Sequence, residues 1–183
     1  MTQKAERLAR EIAREAHAGQ VDKLGRDYLE AHLAPIAAGA ALFESSAPRA
    51  EAAAWLHDVL EDTDVTAREL ADRGVAPDVV SAVESVTRRP GEAYERLIDR
   101  ACAHPVGRYV KLVDNAWNLA SNPELAEVHP ERAHELRAER YLPARVRLLA
   151  ATGLHEDSPE IARLDRVLDE RLTRLPAADP PSR

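Results

Sequence analysis

The sequence predicts an all-α fold, a single helical bundle, on three observations. Hydrophobic residues make up 45% of the chain, but aromatics only 4%. Alanine and leucine dominate, and both lose little side-chain entropy in a helix. Glycine is scarce, at 7 of 183 residues, and no long stretch shows the period-two alternation of a half-buried strand.

Each element follows from local pattern. Residues 3–18 place Ala5, Leu8, Ile12 and Ala16 on one face of an amphipathic helix. Gly19 and Gly25 punctuate a polar loop, after which a helix is expected from about Tyr28 to Phe43. Ser45-Ser46-Ala47-Pro48 stops and restarts the chain, because proline suits a first helical turn. The next helix carries AEAAAWLHDVL and gives way to the acidic turn EDTDV. Thr66 with Glu69 three residues later is a capping-box pattern. Pro77 opens a helix ending near Arg88-Arg89-Pro90-Gly91, and further helices are expected over about 92–103, 107–120 and 130–151. Ser158-Pro159 has the form of an N-cap followed by proline at the first helical position, opening a last helix to about Leu175. Eight to ten helices result, in one domain over 1–175, with 176–183 expected to be a disordered tail.

Charge and composition limit the function. A formal net charge of -7 disfavours a nucleic-acid footprint, which needs an excess of positive surface, but leaves room for a small anion in a local basic pocket. No apolar run reaches membrane-spanning length, and the charged N-terminus lacks a secretory pattern, so a cytoplasmic protein is expected. The lone Cys102 excludes an intrachain disulfide. Nothing in the pattern distinguishes a monomer from a homodimer.

Chemistry concentrates in a few polar residues set into apolar stretches. His57-Asp58 ends an alanine-rich helix, where polar groups are costly unless paired or bound to metal. Neighbouring helical residues point about 100° apart, so this pair can grip one ion only from a helix end, with ligands from elsewhere. His32 in YLEAHLAPI and Asp114 in YVKLVDNAWNL are candidates. Two imidazoles and two carboxylates make a mixed nitrogen–oxygen site suited to manganese or iron.

Four stretches resemble, in order, the hydrolase domain of the Rel/Spo family within the HD superfamily, especially its stand-alone small alarmone hydrolases. They are AHAGQVDKLGRDYLEAHLAPI, AAAWLHDVLEDTDVT, VKLVDNAWNL and ELRAERYLPA, together spanning about residues 13–145. The resemblance implies an HD-domain bundle in which His32, His57, Asp58 and Asp114 bind one Mn2+ and Glu61 and Asp62 orient and deprotonate the attacking water. It also implies substrate contacts from Lys23, Asn118, Arg137 and Tyr141, with His17 and Tyr28 supporting the pocket and Arg88 and Arg89 as further phosphate contacts. The implied reaction is hydrolysis of guanosine 3',5'-bis(diphosphate), ppGpp, to GDP and pyrophosphate. Two positions depart from the family pattern: Asp22 stands where an arginine commonly precedes Lys23, and Asn115 replaces the basic residue after the metal aspartate. These losses of positive charge leave two alternatives open, a phosphatase for NADPH or another nucleotide phosphate, and a catalytically inactive nucleotide-binding HD module.

Overall fold

The computed structural model describes residues 2–176, so residues 177–183 of the expected tail lie outside the described residues. The chain is all-helical. The first helix, α1, is Thr2–Ala16. A π-helical turn at Leu29–Leu33 runs directly into α2, Ala34–Ala40, and a 3-10 turn at Ala41–Phe43. There follow α3 (Ala50–Trp55), α4 (Val59–Asp62), α5 (Ala67–Asp72), α6 (Pro77–Val86), α7 (Tyr94–Ala103) and α8 (Gly107–Ala120). Then come α9 (Asn122–Val128), α10 (Pro130–Glu135), a second π-helical turn at Leu136–Tyr141, α11 (Leu142–Thr152) and α12 (Pro159–Arg174). The expected all-helical bundle is present; in detail, the helix expected through AEAAAWLHDVL is broken into α3 and α4, the one expected over 130–151 is interrupted by the second π turn, and α9 was not expected.

α8 is the axis of the bundle. It packs against α2, α3, α6, α7, α11 and α12, and buries Val110, Leu112, Val113, Ala116 and Trp117. Side chains of this size contribute about 1.5–3 kcal/mol each when fully buried. Gly39 in α2 sets how closely α2, α8 and α12 approach. A Cβ built there would lie 2.6 Å from Val113 Cγ1 and 2.8 Å from Leu164 Cδ1, so a larger residue fits only if those side chains, or the helices that carry them, shift.

The expected end signals are present, with one difference. Thr66 and Glu69 form both halves of the capping box at α5, which stabilises such an end by about 1 kcal/mol. Pro77 occupies the first turn of α6. Ser158 is the N-cap of α12 by position, yet its hydroxyl makes no cap bond; it accepts the His155 N–H at 2.8 Å, tightening the preceding turn instead.

Candidate metal centre and cleft

The helix through AAAWLH stops at Trp55, and Leu56 to Asp58 form a non-helical turn before α4. That break removes the angular difficulty posed by adjacent ligands. His57 Nδ1 donates to the Ala54 carbonyl at 2.8 Å, which turns Nε2 inward. Nε2 is buried with no hydrogen bond of acceptable angle, although Asp58 Oδ2 lies 3.0 Å away. His32 Nε2 is 3.1 Å from the same oxygen. Ligand atoms of His32, His57 and Asp58 all lie within 4.8 Å of one another.

Asp114 stands beside this triad, not in its tightest group. Its Oδ1 is 3.8 Å from His32 Nε2 and accepts from Asn118 Nδ2 at 2.6 Å, while Oδ2 takes the Lys111 ammonium at 2.7 Å. A buried imidazole nitrogen that makes no hydrogen bond, beside carboxylate oxygens, is the chemistry a divalent cation satisfies. The residues present therefore fit such an ion.

Electrostatics bind the cluster together. Burial alone would pull His57 down, but the neighbouring Asp58 carboxylate, the charge of Asp114 and the Ala54 carbonyl push it up to about 9. Burial works against the Asp58 carboxylate too, yet His57 and His32 hold it well below the usual carboxylate range. For Asp114 the burial penalty is outweighed by Lys111, then by His57 and His32, and its pKa falls. Lys111 is raised, because the Asp114 charge overcomes the cost of burial, so it stays an ammonium.

Around the triad the supporting contacts are specific. His17, Tyr28, His32 and His57 form a ladder of rings with centroids 5.2, 4.9 and 5.3 Å apart. The Tyr28 hydroxyl donates to Asp58 Oδ2 at 2.6 Å; burial and the Asp58 charge raise its pKa, so it remains a donor. Asp62 Oδ2 accepts from Gln20 Nε2 at 3.3 Å, and Gln20 Oε1 is 2.7 Å from His17 Nδ1. Glu61 accepts the Arg88 backbone N–H at 2.7 Å, and burial raises its pKa. Neither acid caps α5, a role held by Glu69.

The cluster forms one wall of a cleft of about 290 Å3 lined also by Lys23, Tyr94, Lys111, Asn118, Arg132, Arg140 and Tyr141. Lys23 Nζ spans it, donating to Asn118 Oδ1 at 3.0 Å and Tyr141 Oη at 2.9 Å. Asp22 is a loop fastener: its Oδ1 accepts the Leu24 and Arg26 N–H groups at 2.9 Å, and its Oδ2 takes Arg26 Nε at 2.9 Å. Arg26, shared between Asp22 and Glu124, is a neutralised buried cation.

Two expectations need correction. Arg137 does not reach this cleft; it lines a separate one with Ala116, Leu119, Leu142 and Arg145. Along the same π turn Leu136, Arg140 and Tyr141 line the main cleft, while Arg137 lines the other. Asn115 is not a lost cleft cation. It is buried, and its Nδ2 donates to the Tyr141 carbonyl at 2.9 Å, tying that π turn to α8. The sequence reading missed Arg132, Arg140, Tyr94 and Lys111 as cleft residues. Lys111 alone carried a signal, as a charge one turn before Asp114 in an apolar helix.

No protein-family model and no curated protein matches the chain. Among solved structures it is similar to one described as a metazoan ortholog of SpoT that hydrolyzes ppGpp and plays a role in starvation responses. The TM-score is 0.62 at 20% identity, covering 93% of this chain and 94% of that one. No helix of the described residues is long and apolar enough to cross a membrane. The chain therefore shares the all-helical fold of that SpoT ortholog.

Proposed function

We propose that the protein is a metal-dependent phosphohydrolase of the Rel/Spo branch of the HD superfamily, acting on a small nucleotide. The observation that carries this reading is the buried, unbonded His57 Nε2 amid His32, Asp58 and the nearby Asp114. His32, His57, Asp58 and Asp114 hold one divalent ion, Mn2+ by resemblance. When bound, such an ion polarises a phosphoryl oxygen and acidifies an adjacent water. Glu61, whose pKa is already raised, takes the proton from the attacking water. Asp62, steadied by Gln20, orients that water. Lys23, Asn118 and Tyr141 form a linked set that grips the nucleoside. Arg132 and Arg140, which form no ion pair among the described residues, meet the substrate's distal phosphates in place of Arg137.

The preferred substrate is ppGpp, cleaved at the 3' position to GDP and pyrophosphate, in the cytoplasm. A second reading, a phosphatase for NADPH or another nucleotide phosphate, is favoured by Asp22, which leaves no free arginine at the start of the loop. A substrate panel with manganese-loaded protein separates them. Pyrophosphate release from ppGpp at least about tenfold faster than phosphate release from NADPH and nucleoside monophosphates is expected. The reverse order would establish the second reading, and no turnover of any phosphate ester would leave a binding module.

A further inference from the structure

Lys111 is a buried cation on the wall of the cleft that carries Asp114. Its side chain is only 11% exposed, and a buried ammonium is costly where an apolar residue would pack without penalty. It lies one turn before Asp114 on α8, with Nζ 2.7 Å from Asp114 Oδ2. Its charge is felt beyond that partner, by Glu61 from α4 and by Tyr94 from α7. The ammonium thus stands where acids from two helices converge, at the margin of the cleft.

The two oxygens of Asp114 face different ways. Oδ1 turns toward His32 at 3.8 Å, and Oδ2 toward Lys111. A carboxylate shared between two cations is the arrangement of two-metal phosphohydrolases, whose ions sit about 3.5–4 Å apart and clamp opposite sides of the phosphoryl group. Here one of the two places is taken by a covalently tethered positive charge.

We propose that Lys111 is a built-in second cation: it occupies the far side of Asp114, restricts the centre to one metal ion, and neutralises phosphoryl oxygens that the metal does not reach. This rests on the metal-binding reading above. Asp58, Asp114, Glu61 and Asp62 supply four negative charges, and one divalent ion balances only two. Lys111 supplies the third positive charge at a fixed position, without the cost of recruiting a second ion.

The test is calorimetric titration of metal-stripped protein with Mn2+ alone, joined to turnover of the best substrate of the panel. Wild type and Lys111→Arg are expected to take one ion per chain. Lys111→Met and Lys111→Gln are expected to take two, with kcat lowered by about 100-fold, the scale of removing one charge-stabilising donor. Lys111→Arg is expected to keep turnover within about tenfold of wild type, since it preserves the charge. A wild-type chain that takes two ions overturns the inference. So does an uncharged variant that takes one ion, whatever its rate. A wild-type chain that takes none overturns the metal reading itself. Lys111→Gln introduces a polar, uncharged side chain of similar length, so the test survives if Lys111→Met fails to fold.

Discussion

The two walls of the cleft are built on opposite terms. On the wall of the candidate metal centre nearly every polar atom has a fixed protein partner: His57 on Ala54, Asp58 under Tyr28, and Asp114 between Lys111 and Asn118. On the facing wall, Arg132 and Arg140 are exposed and form no ion pair among the described residues, Arg140 lying only over the Tyr94 ring at 5.8 Å. The first arrangement fixes geometry before any ligand arrives, as chemistry demands. The second keeps positive charge available, as capture of an anion demands.

That contrast can be broken at several points. Asp58→Ala should have the largest effect: metal affinity falling more than about 100-fold and turnover lost, with the helical circular dichroism spectrum retained. Retained Mn2+ binding in that variant would remove Asp58 from the centre.

Proton competition comes next. With its pKa pushed up to about 9, His57 is expected to be protonated near neutrality in the metal-free protein, and on the proposed reading a bound ion displaces that proton. Mn2+ affinity should therefore rise by about tenfold per pH unit between 7 and 8, and flatten above about 9. The same group fixes the sign for stability. Its folded pKa is raised from 6.5, so its contribution is complete below 6.5 and is lost as pH climbs through about 9. Metal-free protein should accordingly unfold more readily at pH 10 than at pH 6. A flat affinity profile in calorimetry would mean that His57 does not titrate with the ion.

Lys23→Ala should raise KM by about tenfold, the value of one charge-assisted hydrogen bond, with little change in metal binding. The smallest effect sharpens the contrast most. Arg140→Ala should raise KM by about three- to tenfold, while Arg137→Ala leaves it within about twofold, as expected of screened surface charges. An Arg137 effect larger than that of Arg140 would return the phosphate contact to the position suggested by family resemblance.

What the sequence revealed divides along the same line. His32, His57, Asp58 and Asp114 stood out as polar interruptions of apolar stretches, weak singly and specific only in the order that resembles the family; the structure brings the first three together with Asp114 beside them. The helices were legible from apolar spacing and from the Thr66–Glu69 and Pro77 start signals. Arg137 was placed with Tyr141 on one-turn spacing and family resemblance, and spacing along one helix does not say which of two neighbouring clefts a long side chain lines. The π turn at Leu29–Leu33 contains His32, as the second contains Tyr141, so both irregular turns carry cleft residues. α9 was missed because NPELAEV is too short to show a periodic face. Arg132 and Arg140 were missed because exposed arginines on a helix look alike until the facing wall is known.

Gly39 touches no ligand and no cleft residue, yet it sits on the helix that continues from His32 and packs against Val113, the neighbour of Asp114. The separation of two candidate ligands thus depends on the missing side chain of a third residue, deep on the dry side of the bundle. On the proposed metal-binding reading, grip on the cation and tightness of the hydrophobic interior become one property, and a change that swells the interior there loosens the ion without altering a single donor atom.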